Sequence, residues 1–234
     1  NFFKTLDALT SLQTNKLEKL KTLKRAYLQQ LFPQEEETTP HLRFADFDGE
    51  WVQCKLGEVL IERSVLQTPS SETPLVSFTV EGGVTPKSNR YNREFLVKEG
   101  GKKYKLTKFD DIVYNPANLK FGAISRNKFG NAVFSPIYVT FETRGCALSP
   151  FLEMIVTNPN FIRKSLAYQE GTVYERMAVK PNDFLSLEVF LPTMCEQNIL
   201  GKFFTEMDEK IKAQGTRLEK LKLLKQAYLQ KMFV

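Results

Sequence analysis

The sequence predicts a mixed α/β (α+β) domain held between two long α-helices that pack on each other. Two observations carry this expectation. A helical segment occurs twice, once at each end, and roughly 160 residues of different character lie between the copies. The first copy reads Lys16-Leu17-Glu18-Lys19-Leu20-Lys21, Leu23-Lys24, Ala26-Tyr27-Leu28-Gln29 and Phe32. The second reads Arg217-Leu218-Glu219-Lys220-Leu221-Lys222, Leu224-Lys225, Ala227-Tyr228-Leu229-Gln230 and Phe233. A constant offset of 201 aligns them without a gap, and also aligns Phe2-Phe3 with Phe203-Phe204, Asp7 with Asp208 and Gln13 with Gln214. An internal repeat governs how the whole chain is read. Two copies so far apart are too few for a solenoid, so a symmetric helix pair follows.

The first helix, 1–32, places Leu6, Thr10, Gln13, Leu17, Leu20, Lys24, Tyr27 and Leu31 at steps of four and three. That spacing is a seam against another helix; Leu17, Leu20 and Tyr27 are its expected apolar contacts. Asn1 aligns with Lys202, well inside the second copy, so the counterpart of the second helix's start is missing and the chain reads as cut from a longer polypeptide. Pro33 to Pro40 is polar, acidic and bracketed by prolines, which marks an exposed linker over 33–43.

The middle domain, 44–192, has mixed patterning. Lys55–Arg63 reads as a short helix. Strand candidates are Leu75–Val80, Asp111–Asn115, Gly122–Arg126, Ala132–Phe134, Ile137–Phe141 and Leu187–Leu191, all rich in β-branched and aromatic residues. Helices are expected at Pro150–Thr157 and Pro159–Tyr168. The last helix, 193–234, starts at Thr193-Met194-Cys195-Glu196, a capping box in which the Thr hydroxyl accepts from the backbone N–H three residues on. Its seam runs Met207, Ile211, Gln214, Leu218, Leu221, Lys225, Tyr228 and Met232, with Leu218, Leu221 and Tyr228 the expected contacts. Gln13 and Gln214 occupy the same seam position, where a buried polar pair fixes register at some cost in stability.

Composition is that of a cytoplasmic protein without a membrane span: 42% hydrophobic and 26% charged, with no long apolar run. Cys54, Cys146 and Cys195 are odd in number, far apart and without CxxC spacing, which fits reduced thiols and argues against zinc. The one histidine, His41, lies in the linker, so a histidine-based triad or metal centre is excluded. There is no phosphate-binding G-x-x-x-x-G-K-[ST]. Asn115-Pro116-Ala117-Asn118 resembles the Asn/Asp-Pro-Pro-aromatic fragment with which adenine methyltransferases hold a flipped base, but it lacks the second proline and the aromatic residue. The chain therefore reads as non-catalytic, with no metal and no cofactor of its own.

What remains is charge. The net charge is +6 and the isoelectric point about 9.1, although the linker is acidic. Lys87, Arg90, Arg93, Lys98, Lys102, Lys103, Lys105 and Lys108 form one basic cluster interleaved with Asn89, Tyr91, Asn92 and Tyr104, from which Lys87, Asn89, Arg90, Tyr91 and Arg93 are taken as contacts. Lys120, Arg126, Asn127 and Lys128 form a second, and Tyr174 with Arg176 a third. Lys and Arg neutralise phosphates, and Arg and Asn read guanine and adenine edges through paired hydrogen bonds. Paired, spaced readers are a common way of recognising DNA, so these residues are the candidate DNA contacts.

Ordered along the chain are Leu42-Arg43-Phe44, Gly49-Glu50-Trp51, Lys55-Leu56-Gly57-Glu58-Val59, Asp111-Ile112-Val113-Tyr114-Asn115, Ser135-Pro136-Ile137-Tyr138-Val139, Leu191-Pro192, Glu196-Gln197 and Ile199. They precede the closing Leu221-Lys222-Leu223-Leu224-Lys225 and Leu229-Gln230-Lys231-Met232-Phe233. Together with the repeated helices, this order resembles the DNA-specificity subunit (S subunit) of type I restriction–modification systems. Met194-Cys195 departs from the acidic residue or leucine commoner there.

The resemblance implies the C-terminal half of such a subunit: a conserved helix, one target recognition domain and a distal conserved helix, with the helices paired as an antiparallel coiled coil. It implies binding to double-stranded DNA, each recognition domain reading a half-site while the helices set the distance between halves. Helices of about 50 Å correspond to about 15 base pairs at 3.4 Å rise. It implies partnership with two methyltransferase (modification) subunits, which use S-adenosylmethionine, and with restriction subunits, which need ATP and Mg. It also implies a prokaryotic setting. A solitary half could pair with a second copy, giving a homodimer and a palindromic split target. A coiled-coil scaffold whose middle domain binds protein is the alternative from another class.

Overall fold

Straight-chain residues, no internal proline and a sustained heptad give the computed structural model two long helices. The structure describes residues 2–34, 37–80, 82–86, 102–170 and 177–232. Helix α1 is Phe2–Gln30. Strands β1 (Val52–Lys55), β2 (Leu60–Glu62), β3 (Leu66–Gln67), β4 (Val76–Thr79) and β5 (Gly83–Pro86) follow, with the single-turn helix α2 (Leu56–Val59) between β1 and β2. Next come β6 (Tyr104–Thr107), β7 (Ile112–Tyr114), a 3-10 helix (Pro116–Phe121), β8 (Ile124–Arg126), β9 (Ala132–Phe134) and β10 (Val139–Thr143). Helices α3 (Ser149–Val156) and α4 (Pro159–Leu166), strands β11 (Gln169–Glu170) and β12 (Ala178–Val179), helix α5 (Pro181–Ser186) and strand β13 (Glu188–Leu191) lead to α6 (Met194–Met232). At 39 residues, α6 is about 58 Å long. Thr193 caps it as the sequence predicts, its hydroxyl 3.4 Å from the Glu196 N–H.

The chain divides into two compact units, one of residues 1–50 and 199–234, the other of residues 51–198. In the first, α1 and α6 run antiparallel along the predicted seam. Leu6, Gln13, Leu200, Phe204, Met207, Gln214 and Leu218 are buried, and Leu17, Leu20, Tyr27 and Leu221 are half-buried. The contacts obey the sequence offset. Tyr27 meets Phe203 edge-on at 5.1 Å between ring centroids, and Tyr228 meets Phe2 in the same way at 5.0 Å. Lys24 pairs with Asp208 and Lys225 with Asp7. Each contact becomes its twin when 201 is added to one partner and subtracted from the other. The pair therefore has a pseudo-twofold axis, and Gln13 faces Gln214 on it: the Gln214 amide donates to the Gln13 side-chain oxygen and, at 3.1 Å, to its backbone carbonyl.

The linker differs from the expectation of an exposed strap. Its described residues are mostly half-buried, because flanking side chains anchor it. Leu31 and Phe32 are buried, Phe32 lies against Phe204, Phe44 against Phe203, and the Leu42 N–H donates back to the Gln30 carbonyl. Residues 44–50, which the sequence places with the middle domain, pack within the helical unit.

The second unit is built on antiparallel pairing: a four-stranded sheet β2-β10-β7-β8, a three-stranded sheet β3-β6-β9, and the pairs β1-β13, β4-β5 and β11-β12. Lys55–Arg63, read as one helix, is a single helical turn followed by β2. Strands β7, β8, β9, β10 and β13 and helices α3 and α4 fall where the sequence predicts them. The core is a stack of Tyr114, Phe141 and Phe184, with centroids 4.9–5.8 Å apart and interplanar angles of 10–19°. The Tyr114 hydroxyl donates to the Val179 carbonyl at 3.0 Å, which satisfies the polar end of a buried ring; burial holds its acidity far below that of an ordinary tyrosine. A second cluster gathers Val76, Val84, Val113, Ala132 and Phe134. Gln197, buried in the first turn of α6, accepts from the Leu148 N–H and donates to the carbonyls of Cys146 and Pro192, tying the entry of α6 to the loop before α3.

Candidate nucleic-acid interface

Of the candidate DNA contacts, Lys87, Asn89, Arg90, Tyr91, Arg93, Tyr174 and Arg176 lie outside the described residues. Lys120, Arg126, Asn127 and Lys128 are described, and the structure separates them by role. Lys120 and Lys128 are exposed, and they flank β8 at its opposite ends. Lys120 closes the 3-10 helix and holds its ammonium 5.0 Å from the Phe121 ring centroid. Lys128 pairs with Glu153 at 2.9 Å.

Arg126 and Asn127 are interior residues, which corrects their reading as surface contacts. The Arg126 guanidinium donates to Glu153 at 3.0 Å and to Asp110 at 2.7 Å. Burial, the largest influence, works against its charge, but the two carboxylates together outweigh it and the net shift is upward. Asn127 is fully buried. Its amide nitrogen donates to Thr107 Oγ1 and to the Lys108 and Gly130 carbonyls, and its side-chain oxygen accepts from the Phe129 and Gly130 N–H groups. An unpaired buried polar group is costly, so these donors are committed to the fold.

What Asn127 holds together is a pair of turns. Residues 108–111 join β6 to β7, and residues 127–130 lead from β8 towards β9. Backbone bonds lace them, Asp110 N–H to Asn127 C=O at 2.9 Å and Asn127 N–H to Asp111 C=O at 2.7 Å. The first turn is fixed from below by Asp111, whose carboxylate accepts the Lys108 N–H at 2.8 Å and two bonds from Arg63 at 2.8 and 3.0 Å. That bidentate pair, chiefly through its hydrogen bond, raises the Arg63 pKa. Asp110 adopts φ of +71°, a left-handed conformation uncommon for a residue other than glycine.

The turns display residues that the sequence reading passed over. Phe109 is 59% exposed and Phe129 is 39% exposed, each directly after an exposed lysine, Lys108 and Lys128. The signal was present in the sequence: Lys-Phe occurs as Lys108-Phe109-Asp110, Lys120-Phe121-Gly122 and Lys128-Phe129-Gly130. Each third residue has positive φ, +71°, +78° and +121°.

Asn115, in the fragment that resembles a methyltransferase motif, caps the 3-10 helix by accepting the Ala117 N–H at 3.1 Å. Among the described residues no group of three His, Cys, Asp or Glu is placed to hold a metal ion, and no helix is long and apolar enough to cross a membrane.

A scan against protein-family models gave no match, and neither did a search of curated proteins. Solved structures do match. The HsdS subunit from Thermoanaerobacter tengcongensis aligns with 98% of this chain at a TM-score of 0.59 and 16% identity. The S subunit of a type I restriction–modification system from M. genitalium aligns with 99% at 0.65 and 15% identity. A third, from a study of complex assembly and conformational transition of the type I R-M system, aligns with 99% at 0.60 and 15% identity. The chain has the S-subunit fold. It spans 54–58% of the lengths of those chains, so the S-subunit fold is matched here by one mixed domain between one long helix at each end.

Proposed function

We propose that this chain is a non-catalytic, sequence-specific DNA-recognition subunit of a type I restriction–modification complex. In this reading the 51–198 unit reads one half of a bipartite target in double-stranded DNA, and the helix pair docks adenine methyltransferase subunits. The supporting observation is the likeness to S subunits over nearly the whole chain, helix, domain and helix in one alignment. Restriction subunits join the same assembly. S-adenosylmethionine, ATP and Mg act in those partners, and the setting is the prokaryotic cytoplasm. A chain with one recognition domain would form a palindromic reader by pairing with a second copy.

Co-expression with a type I methyltransferase subunit, followed by mapping of methylated adenines, tests the proposal. The expected result is a split motif, with identical inverted halves if two copies pair. A soluble complex that leaves the DNA unmethylated would count against DNA reading by this chain. The scaffold alternative predicts weak DNA binding without preference between sequences, whereas a reader keeps its discrimination as rising salt weakens the phosphate contacts.

A further inference from the structure

We infer that the helix pair makes a DNA contact of its own, a basic face centred on the pseudo-twofold axis where Lys16 and Arg217 bind the phosphates of a duplex without reading its sequence. This rests on the DNA-reading function proposed above and extends it to the helices. Over residues 2–30 and 199–232 the helices hold 14 lysines and arginines against six carboxylates, a net charge of +8, whereas the whole chain has +6. Segment 31–50 offsets part of this with six carboxylates and one arginine. Its anchors, Phe32 on Phe204 and Phe44 on Phe203, lie about 15 Å along α6 from Gln214, so its charge is held towards one end of the pair.

The charges are sorted by side. Counted at about 100° per residue from Gln13 and Gln214, Lys16 and Arg217 lie about 60° to one side of the seam, and Lys19 and Lys220 about 120°. Lys210 falls on that side too. A twofold axis turns each helix into the other, so equal angles on the two helices face the same way. All five are exposed, and none has an ion pair among the described residues. Asp7, Glu18, Asp208 and Glu219 lie on the opposite side, and each is already matched, by Lys225, Lys21, Lys24 and Lys222 in turn. With those four pairs set aside, ten cations remain on the helices against Glu206 and Glu209. Glu209 shares an open groove on α6 with Lys212, Arg217 and Lys220, which leaves that groove positive.

Both the charge and the symmetry of the centre favour nucleic acid as the occupant. Protein interfaces are depleted in lysine, whereas protein–DNA interfaces are far more positive than those between proteins. Apolar surface at the centre has no symmetric form: Leu12 is exposed, but its counterpart under the offset of 201 is Ala213. Leu23 and Leu224 lie about 15 Å along their helices from Gln13 and Gln214, beyond Lys16 and Arg217. Duplex DNA carries one negative charge per about 1.7 Å of its axis. Its antiparallel strands are themselves related by twofold axes, so Lys16 meets one strand as Arg217 meets the other.

The test uses the full chain and a pool of randomised DNA duplexes. Enrichment of a motif by the unaltered chain establishes DNA reading. Binding to the enriched duplex and to an unrelated one is then followed from about 50 to 200 mM salt. Lys16→Gln/Arg217→Gln is expected to lower the slope of log K against log salt by about two on both duplexes, with preference for the motif kept. Lys21→Gln/Lys222→Gln removes the same charge from the opposite side and should leave the slope unchanged. All four positions are exposed and glutamine is a good helix former, so both variants should melt close to the temperature of the unaltered chain.

An enriched motif bound with the same slope by Lys16→Gln/Arg217→Gln overturns the basic face and leaves the DNA-reading function standing. An equal fall in both variants would show that net charge alone acts, and overturns the face too. If Lys16→Gln/Arg217→Gln binds DNA normally but loses a methyltransferase subunit, the face is a protein contact and the inference fails as well. A pool that shows no enrichment would sink the DNA reading itself. Salt-dependent binding weakened in Lys16→Gln/Arg217→Gln alone would then still support the face, and no binding at all would sink both.

Discussion

Asn127 engages both ends of its amide, and the consequence can be measured. Asn127→Ala strands the Thr107 hydroxyl, two carbonyls and two N–H groups at the base of the paired turns. Each buried group left unpaired costs about 1–3 kcal/mol where water cannot reach it. Some of these groups will find water, so a loss of about 3 kcal/mol is expected in urea unfolding; a loss below about 1 kcal/mol would show that the turns are not held from this residue. Cys54 gives a second residue-scale prediction. Burial, aided by the Glu58 carboxylate, raises its thiol from the ordinary 9.0 to about 11. The raised value means that the unfolded chain loses this proton first, so the thiol's contribution to stability is complete below pH 9 and fades as pH rises towards 11. At pH 8 iodoacetamide should label the exposed Cys146 and Cys195 before Cys54, as peptide mass spectrometry can follow. Arg126 shows why single residues are hard to place from sequence. Its carboxylates come from elsewhere in the chain, Asp110 from the turn before β7 and Glu153 from α3, and nothing local distinguishes a buried arginine from a phosphate-binding one.

At the scale of elements, periodicity decides what can be read. The antiparallel pairing of α1 with α6 and its central Gln13–Gln214 contact were legible because a heptad repeats and the chain supplies it twice. Only its end frays: Tyr228 is 43% exposed yet still meets Phe2. Strands with β-branched runs, such as Ile112–Tyr114 and Ala132–Phe134, were legible for the same reason. Strand β6, Tyr104-Lys105-Leu106-Thr107, was not: Lys105 is buried and its ammonium pairs with Glu62 at 2.6 Å, which breaks the polar–apolar alternation that marks a strand. The two-residue strands β3, β11 and β12 are too short to carry any period. On the helix pair, the Gln13–Gln214 contact makes a cycle of variants informative. Gln214→Leu leaves the buried Gln13 amide without its side-chain partner and should cost about 1–3 kcal/mol, whereas in Gln13→Leu the Gln214 amide keeps its bond to the backbone carbonyl at position 13 and the loss should be smaller. The double change removes both polar groups and should restore stability or exceed it, while weakening the one register the amides enforce. Thermal melting of the three variants checks the sign of the coupling, and strictly additive losses would contradict the pairing.

For the whole molecule, the pseudo-twofold axis has a consequence beyond stability. A symmetric helix pair offers its outer surface twice. Leu23 and Leu224 are related by the offset of 201, and their exposures are almost equal, 46% and 45%. Each shares a helix face with an exposed lysine and alanine, Lys19 and Ala26 for one, Lys220 and Ala227 for the other. A partner that recognises one stripe therefore meets the same side chains in the same order on the other, and under the proposed function that partner is a methyltransferase subunit. Native mass spectrometry of the complex should then show two copies per helix pair. Leu23→Asp and Leu224→Asp should each remove one copy, because a charge placed in an apolar contact must be desolvated without a counter-ion. The double variant should remove both, while the buried seam and the melting temperature stay unchanged. If each single variant instead keeps two copies, or if one removes both, the stripes are not equivalent docking surfaces, and the symmetry of the helices serves the internal packing of the chain alone.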